Sequence, residues 1–254
     1  MGLQVCNFDG GELIIPEGDW MLQDLVARGE YEPYVIGPFV EAIEPHHTVL
    51  DIGANVGVFT VAAARRARRV IAIEAFAENA KLVAANAARN GLTNVEVWPV
   101  AVTDHIEMAT FNAWGASNKV VRPHGLTMDT LSEVGVCMGL PIDLLISERI
   151  DIVKMDVEGR EYAALSGAQN LFRQRPLFFI EFSPEFIFDG CGVSSQDFLD
   201  LFFGRGYAAT ILHRDMTREE VGQDSSRLID AWRSYMDRQI THLDLMFRYR
   251  EASA

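Results

Sequence analysis

Between residue 48 and residue 249, short apolar stretches that fit buried strands alternate with longer stretches of helical periodicity. Regular alternation of strands and helices predicts a parallel sheet with helices packed on both faces. Seven apolar stretches are predicted as strands: Thr48–Asp51, Val70–Ile73, Val95–Val100, Ile150–Val157, Leu177–Phe182, Tyr207–Leu212 and His242–Tyr249. The pattern therefore predicts an α/β protein, a three-layer α/β/α sandwich around a seven-stranded, mostly parallel sheet, and it leaves the strand order open.

Helices are predicted where apolar positions recur every three or four residues. Four of them separate predicted strands: Val58–Arg66, Glu78–Arg89, Arg160–Leu171 and Gln196–Phe203. Ser194 and Asp197 have the spacing of a capping box at the start of the last one. Five apolar residues before the final strand fall on one face of a further helix, which is typical of core packing: Leu228, Ile229, Trp232, Met236 and Ile240.

The first 44 residues do not follow this alternation. Residues 1–17 predict a small hairpin that turns after Asp9 and is stopped by a proline. Residues 19–44 predict mostly helical structure, interrupted at Pro33 and at Pro38. This region is therefore expected to lie outside the core of alternating strands and helices.

These patterns divide the chain into two parts. Residues 1–45 are predicted to form an N-terminal hairpin and helical cap, and residues 46–254 to form the main domain. Within the main domain, residues 213–240 are predicted to be an insertion. Residues 104–148 contain short strand-like pieces and turn residues, which the pattern does not resolve into elements.

The composition limits the partners and the location. The chain has 22 Lys and Arg residues against 36 Asp and Glu residues, so its formal net charge is −14. Such a surface repels phosphate backbones, which argues against a nucleic-acid partner and favours a small molecule. The three cysteines are widely spaced and indicate neither a disulfide framework nor a zinc site. Because no stretch has the roughly 18 apolar residues of a membrane span and no signal segment is recognisable, we expect a soluble cytoplasmic protein without a membrane partner.

The stretch from Val49 to Phe59 (VLDIGANVGVF) carries the strongest functional signal. A buried strand ends at Asp51 and leads through a glycine-spaced turn into a helix, which brings backbone close to a polar ligand at the sheet edge. A dinucleotide fingerprint needs glycines at the positions that Asn55 and Val58 occupy. The turn therefore favours a nucleoside without phosphates, such as S-adenosylmethionine, over NAD.

Three side chains near the ends of the next two strands extend this ligand site. Glu74 ends the second predicted strand, where a carboxylate can accept hydrogen bonds from both hydroxyls of a ribose. Phe76 is placed to lie against an adenine ring or to anchor the following helix, and the sequence leaves both open. Asp104 follows the third strand, where it can accept the amino group of adenine or be an ordinary loop aspartate.

The densest group of ionisable residues is in the stretch IDIVKMDVEGREY, residues 150–162. Lys154, Asp156 and Glu158 alternate with apolar residues, so a strand would project their side chains to one side. Because unpaired buried charges are costly, we expect these residues to pair with one another and to line a cavity. Glu181 is expected to join them from the neighbouring strand. A catalytic cluster and a structural salt-bridge network both fit this pattern.

Taken together, these stretches resemble the FkbM-type family of S-adenosylmethionine-dependent methyltransferases. The matching segments are DIGANVGVF (51–59), IAIEAFAENAKLVAAN (71–86), VAVTD (100–104), KMDVEGREYAALSGA (154–168) and FFIEFSP (178–184). YEP at 31–33 also resembles the usual lead-in of the family. The resemblance implies the class I methyltransferase fold, which is Rossmann-like, and S-adenosylmethionine as the cofactor.

The resemblance also implies roles for single residues. Four residues of the turn take the methionine and ribose side of the cofactor: Asp51, Gly53, Asn55 and Gly57. Glu74 takes the ribose diol, and the neighbourhood of Asp104 takes the adenine. Three carboxylates face the methyl acceptor: Asp156, Glu158 and Glu181. The chain departs from the family at Ala75, where proline is common, and residues 213–240, which have no counterpart, are predicted to tune the substrate.

These roles predict a methyltransferase that acts on a hydroxyl of a small molecule, such as a secondary metabolite or a sugar. Asp156 is expected to orient or deprotonate the acceptor, and Glu181 is the second candidate base. Lys154 is expected to keep Asp156 ionised or to stabilise an alkoxide. The acceptor itself and the oligomeric state cannot be derived from the sequence.

Three other functions stay open. The first is an N-methyltransferase on the same scaffold, the second an oxidoreductase that binds NAD(P), which Asn55 disfavours. The third is a cofactor-binding protein without catalysis, which the polar cluster at residues 154–158 disfavours. A divalent metal between Asp156 and Glu181 would have only two protein oxygen ligands, so no metal site is predicted. The six histidines show no ligand spacing: His46, His47, His105, His124, His213 and His242.

Overall fold

The computed structural model describes residues 2–112 and 134–251. The strands of these residues are β1 (Leu3–Phe8), β2 (Gly11–Pro16), β3 (Thr48–Ile52), β4 (Arg69–Ile73), β5 (Val95–Trp98), β6 (Ala101–Val102), β7 (Glu107–Asn112), β8 (Val134–Leu140), β9 (Ile152–Met155), β10 (Leu177–Phe182), β11 (Tyr207–Leu212), β12 (Arg218–Gly222) and β13 (Leu243–Tyr249). The helices are α1 (Gln23–Arg28), α2 (Pro33–Glu41), α3 (Val58–Ala64), α4 (Ala77–Arg89), α5 (Ile142–Leu145), α6 (Glu161–Ser166), α7 (Gln169–Gln174), α8 (Pro184–Cys191), α9 (Ser195–Phe203) and α10 (Ser225–Met236). A short 3₁₀ helix, Trp20–Leu22, precedes α1.

Eight strands form the main sheet, in the spatial order β12-β11-β13-β10-β9-β3-β4-β5. The strands from β10 to β5 run parallel, whereas β13 lies between β10 and β11 and is antiparallel to both. The strand order reverses at β3 and β9, because the chain builds outward from β3 to β5 on one side and from β9 to β13 on the other. Such a reversal leaves a crevice beyond the carboxyl ends of the two central strands.

The predicted α/β fold and all seven predicted strands are confirmed. The sheet has one further strand, β12, which lies at its edge and pairs only with β11 among the described residues. Its sequence, REEVG, is polar and half exposed, as edge strands often are because charges discourage pairing with other chains. The apolar pattern therefore contained no signal for β12.

Proline and glycine explain several differences between predicted and observed elements. The third predicted strand ends before Pro99, which has no N–H for a ladder. One predicted helix is two, α6 and α7, separated at Gly167, where a Cβ would overlap the Thr103 carbonyl oxygen. The predicted interruption at Pro38 was wrong, because Pro38 lies inside α2, which is anchored by buried side chains such as that of Phe39. Pro33 is the first residue of α2, a position that needs no N–H donor.

The hydrophobic core lies on both faces of the main sheet. On one face, aromatic rings pack tightly: Phe202 stacks on Phe247 with a centroid distance of 3.9 Å, and Phe178 meets Phe202 edge-on at 5.2 Å. On the other face, Phe39 of α2 packs edge-on against Phe179 of β10 at 5.4 Å. This second contact seats α2 directly against the sheet.

The N-terminal hairpin of β1 and β2 is attached to α4 by side-chain amides. The Ile14 N–H donates to Asn86 Oδ1 at 2.6 Å, and Asn86 Nδ2 donates to the Ile14 carbonyl oxygen at 3.0 Å. Asn90 Nδ2 likewise donates to the Glu12 carbonyl oxygen at 2.7 Å. One turn of α4 thus continues the hydrogen bonding of β2 and holds the hairpin in a fixed place.

A small sheet in the order β6-β8-β7 lies beside the main one. It accounts for the strand-like pieces in residues 104–148, of which residues 113–133 lie outside the described part. Within residues 2–112 and 134–251, no helix is long and apolar enough to cross a membrane.

Candidate active site

A cavity of about 310 Å³ opens at the carboxyl ends of β3, β4 and β9. Its floor consists of residues at and directly after the ends of these strands, including Asp51–Asn55 and Asp156–Glu158. One wall comes from β6 and β7 of the small sheet, and another from the N-terminal region through Leu22 and Tyr31. The cavity lies where the strand order reverses, which is where open α/β sheets bind ligands.

The glycine-spaced turn after β3 has three consecutive odd-numbered residues with positive φ. Gly53 has φ 80°, Asn55 has φ 53° and Gly57, which precedes α3, has φ 91°. Asparagine is one of the few other residue types that adopt this conformation readily. A Cβ on Gly53 would overlap the carbonyl oxygen of Asp156. Besides its predicted place on the cofactor side, Gly53 therefore lets two loops of the protein touch.

Asp51 lies at the bottom of the cavity and is only 1 % exposed. Its Oδ2 accepts a hydrogen bond from Thr60 Oγ1 at 2.5 Å, from the first turn of α3. Burial raises the pKa of Asp51 to about 6, although the Thr60 hydrogen bond and the Lys154 ammonium lower it. In the sheet, Asp51 is the register partner of Lys154 on β9, which links the predicted cofactor side to the predicted acceptor side.

Glu74 connects the two loops of the predicted cofactor side. Its Oε2 accepts the Asn55 N–H and its Oε1 accepts the Phe76 N–H, both at 2.8 Å. The residue is 5 % exposed and lines the cavity. These two hydrogen bonds hold the loops after β3 and β4 against one buried carboxylate.

Three predicted cofactor residues, Gly57, Phe76 and Asp104, are not part of the cavity lining formed by the described residues. Gly57 is the N-cap residue of α3. Phe76 is half-buried at the start of α4, in the position of a helix anchor. Asp104 is exposed, and its carboxylate is 2.6 Å from His105 Nδ1. The reason is the turn after β6, in which Thr103 Oγ1 donates to the His105 carbonyl oxygen. This turn leaves Thr103, rather than Asp104, in the cavity wall.

The predicted pairing of Lys154 with Asp156 is present. Lys154 is 2 % exposed, its Nζ is 3.4 Å from Asp156 Oδ2, and it lies 4.8 Å above the Phe59 ring. Burial alone lowers the pKa of Lys154, but Asp156 and three other nearby carboxylates outweigh this and raise it. Lys154 therefore stays an ammonium ion in the cavity wall.

Asp156 and Glu158 line the cavity from a turn, because β9 ends at Met155. The predicted strand through residue 157 was too long, and the same-side alternation does not apply after Met155. Glu161 accepts the Val157 N–H at 3.0 Å and the Gly159 N–H at 3.3 Å, which holds the turn in shape. Burial raises the pKa of Glu161 to about 7, against the effect of these hydrogen bonds.

Glu181 is not part of the cavity lining formed by the described residues, and its place facing the acceptor stays a prediction. It is the register partner of Asp244 on β13, so the two carboxylates are neighbours. The ring of His242 lies between them, with Nδ1 3.7 Å from Glu181 Oε2 and Nε2 3.7 Å from Asp244 Oδ2. Burial and the charge of Asp156 raise the pKa of Glu181 well above its usual value.

Two carboxylates that surround Lys154 were given no role from the sequence. Glu32 and Asp244 are among the carboxylates that raise the Lys154 pKa, and Tyr31 lines the cavity. Burial, followed by the charge of Asp244, raises the pKa of Glu32 to about 8. The available signals were an acidic residue directly before the proline of α2, and one acidic residue inside the apolar strand β13.

The structure adds a possible metal-binding group that the spacing of the histidines did not indicate. Glu44, His46 and His47 can each offer a ligand atom, and these atoms lie within 4.8 Å of one another on the turn between α2 and β3. Glu44 and His46 are exposed, and His47 Nδ1 already accepts the Glu44 N–H. Asp156 and Glu181 are not part of any such group among the described residues, and His124 lies outside them.

Residues 51–249 match the profile of the methyltransferase FkbM domain. No curated protein matches the chain. The chain is similar in structure to a methyltransferase FkbM from Methylobacillus flagellatus KT, with a TM-score of 0.50 and 18 % identity. That alignment covers 81 % of this chain but only 44 % of the other, so this chain spans less than half of that protein.

Other solved structures match the chain at lower similarity. An rRNA methylase from Streptococcus thermophilus has a TM-score of 0.48 at 11 % identity, with 87 % of this chain and 94 % of that one covered. A precorrin-6y C5,15-methyltransferase from Geobacter metallireducens GS-15 has a TM-score of 0.48 at 10 % identity, with 94 % and 97 % covered. At such identities the likeness concerns the fold alone.

Proposed function

This chain belongs to the FkbM methyltransferase family, and from that premise we propose that it methylates a hydroxyl group of a small molecule. The methyl donor of this family is S-adenosylmethionine, and the cavity at the strand-order reversal is where we place it. Family membership also overturns the oxidoreductase alternative. The acceptor is proposed to be a secondary metabolite or a sugar.

The residues of the cavity fit the donor. The glycine turn brings backbone to the cavity floor, and Glu74 offers a buried carboxylate beside it. Val100, Val102 and Thr103 form a mostly apolar wall next to Glu74, which suits a purine ring. We assign Asp51, Gly53, Asn55 and Glu74 to donor binding, with Gly57 shaping the turn at the start of α3. Phe76 and Asp104 are given no direct contact with it.

The ion pair of Lys154 and Asp156 is the observation that carries the proposal for the acceptor. Bound S-adenosylmethionine supplies a methyl group on a sulfonium, and the thioether that leaves needs no proton. A hydroxyl acceptor must lose one, so the protein has to provide a base. Asp156 lines the cavity and is the base we propose, with Lys154 keeping it ionised and stabilising negative charge on the acceptor oxygen. Glu158 lines the same end of the cavity. Glu181 remains the second candidate base.

The net charge of −14 supports a small-molecule acceptor over RNA. N-methylation on the same site is the second candidate, because an amine acceptor would meet the same carboxylates. The three cysteines are free thiols, which supports the prediction of a cytoplasmic protein. The division of the chain at residue 45 and the insertion at 213–240 also remain predictions.

Incubation with methyl-labelled S-adenosylmethionine tests this proposal. The labelled donor is offered in parallel to a small-molecule extract and to total RNA, and the products are separated and tested for an O-methyl or N-methyl bond. Label in the small-molecule fraction as an ether supports the proposal. Label as an N-methyl group, label only in RNA, or no transfer to either fraction would each overturn it.

A further inference from the structure

Two residues that precede the family match complete the acceptor end of the cavity. The match begins at residue 51, yet Tyr31 lines the cavity. The charge of the neighbouring Glu32 raises the pKa of Lys154. The charge of Asp244 in turn raises the pKa of Glu32. The cavity is therefore not built by the family-matched residues alone.

The backbone at this point is strained. Glu32 has φ 40° and ψ 58°, a left-handed conformation that non-glycine residues avoid because of their Cβ. It also precedes Pro33, and the residue before a proline is pushed towards extended conformations. Strain of this kind persists where surrounding contacts enforce it, and it concentrates at functional sites. Asn55 and Glu158, which line the same cavity, also have positive φ.

The strained turn places Tyr31 in contact with the acceptor end. The Tyr31 ring meets the Phe59 ring edge-on, with centroids 6.1 Å apart, and the same Phe59 ring lies 4.8 Å from Lys154 Nζ. Burial, together with the charges of Glu32, Asp156 and Glu181, raises the pKa of Tyr31. Its hydroxyl therefore keeps its proton and acts as a neutral donor beside the carboxylate that we propose as the base.

Resting on the function proposed above, we propose that Tyr31 is an acceptor-positioning residue, aimed into the cavity by the strained turn at Glu32. Its phenol donates a hydrogen bond to the acceptor oxygen next to Asp156. In the transfer, the O–H bond of the acceptor breaks and its proton goes to Asp156. The oxygen lone pair forms the new bond to the methyl carbon, and the old bond's electron pair stays on the thioether sulfur. The choice of acceptor thus depends on residues that lie before the family-matched part.

Tyr31→Phe tests this, with Tyr34→Phe as its matched control. Tyr34 is a buried tyrosine of the same region as the partly buried Tyr31, but its hydroxyl bonds to Asp244, away from the described cavity lining. The probes are labelled S-adenosylmethionine with the small-molecule fraction that wild type methylates, and S-adenosylhomocysteine for binding. We expect Tyr31→Phe to keep its affinity for S-adenosylhomocysteine within about twofold and to raise the KM for the acceptor about tenfold, as for one lost hydrogen bond. Tyr34→Phe should leave this KM unchanged.

A wild-type KM in Tyr31→Phe, or equal effects of both variants, overturns this proposal alone. If wild type methylates no small-molecule fraction, the proposed function fails and this inference fails with it. The strain is tested separately by Glu32→Gly, with Gln239→Gly as control, because Gln239 has φ 61° on an exposed turn.

Both glycine variants should melt at a higher temperature than wild type, since glycine adopts positive φ freely. Only Glu32→Gly should speed amide hydrogen exchange at residues 30–34 and raise the acceptor KM. Glu32→Gln, which removes the charge and keeps the strain, should leave the exchange rate as in wild type. A lower melting temperature in Glu32→Gly, or an unchanged rate of amide hydrogen exchange at residues 30–34, would contradict the proposal that strain at Glu32 positions Tyr31.

Discussion

The two ends of the cavity are built in different ways. At the donor end, Glu74 and the glycine turn are joined by hydrogen bonds to backbone amides and by a direct contact between Gly53 and Asp156. At the acceptor end, Lys154 is surrounded by carboxylates that come from four separate segments of the chain. Close backbone contacts tolerate few substitutions. A group of several charged side chains can lose one member while the protein keeps its fold. The difference predicts that donor binding is hard to alter and that acceptor choice is easier to alter.

The largest effect is expected at the acceptor end. Asp156→Asn should lower turnover by roughly 10²–10⁴-fold, the usual contribution of a positioned acid–base group. The fold and the donor affinity should stay nearly intact, because Lys154 keeps Glu32, Asp244 and Glu181 near it. Single-turnover methyl transfer and thermal melting on the same variant measure both. A structural cluster would instead lose about 3–5 kcal/mol of stability with normal turnover in the folded fraction, and the comparison above would then be wrong.

The donor end should respond through stability. Gly53→Ala places a Cβ against the Asp156 carbonyl oxygen at φ 80°, and we expect a loss of about 3 kcal/mol in the free energy of unfolding. Gly18→Ala is the matched control, because Gly18 has φ 75° with open space around its Cβ. It should cost only about 1 kcal/mol. Equal losses in chemical denaturation would mean that the contact with Asp156 contributes nothing.

Donor affinity itself is tested at Glu74. Glu74→Ala should weaken S-adenosylmethionine binding by about 1.5–3 kcal/mol, since two hydrogen bonds to a charged acceptor are lost. It should also lower the melting temperature, because the N–H groups of Asn55 and Phe76 lose their partner. Glu78→Ala, an exposed residue bonded to Lys81, should change neither value. Wild-type affinity in Glu74→Ala, measured by calorimetry, would remove Glu74 from the donor site.

The smallest effect concerns pH and the acceptor-side turn. The pKa of Glu161 is raised from 4.5 to about 7 in the folded protein, so the folded state binds more protons than the unfolded state between these values. Its contribution to stability is complete below pH 4.5 and is lost as the pH rises through 7. Glu161→Gln keeps an oxygen for the Val157 and Gly159 amides but cannot titrate. The variant should show a fall in stability between pH 5 and pH 8 that is smaller by roughly 1–3 kcal/mol. If the free energy of unfolding falls equally with pH in wild type and in Glu161→Gln, the pKa of Glu161 is not raised.

The sequence was sufficient for the elements that depend on local pattern. The strands of the main sheet follow from apolar runs, and the donor turn follows from Asp51 and its two glycines within seven residues. Pro99 was a signal that the third strand ends at Trp98. The prediction extended the strand to Val100 because apolar residues lie on both sides of this proline. β12 was missed because an exposed edge strand needs no apolar face.

Residues that meet only in the folded chain could not be predicted. Glu32 and Asp244 are more than 200 positions apart, yet the charge of Asp244 raises the pKa of Glu32. Asp104 was assigned to the site because it follows a strand, whereas one hydrogen bond of Thr103 turns it outward. Spacing in the sequence therefore brought together residues that line one cavity where they are near in the chain, such as Lys154 and Asp156, but not Glu32 and Asp244.

The position of β13 has a consequence for how the chain folds as it is synthesised. β13 pairs with β10 on one side and with β11 on the other, although it follows both of them along the chain. Until residues 243–249 emerge from the ribosome, β10 and β11 both have an unpaired edge. Such edges can pair with other chains, and contacts over long sequence separation form slowly. We expect nascent chains that stop before residue 243 to depend on chaperones and to aggregate when released, while those that extend past residue 249 become resistant to protease.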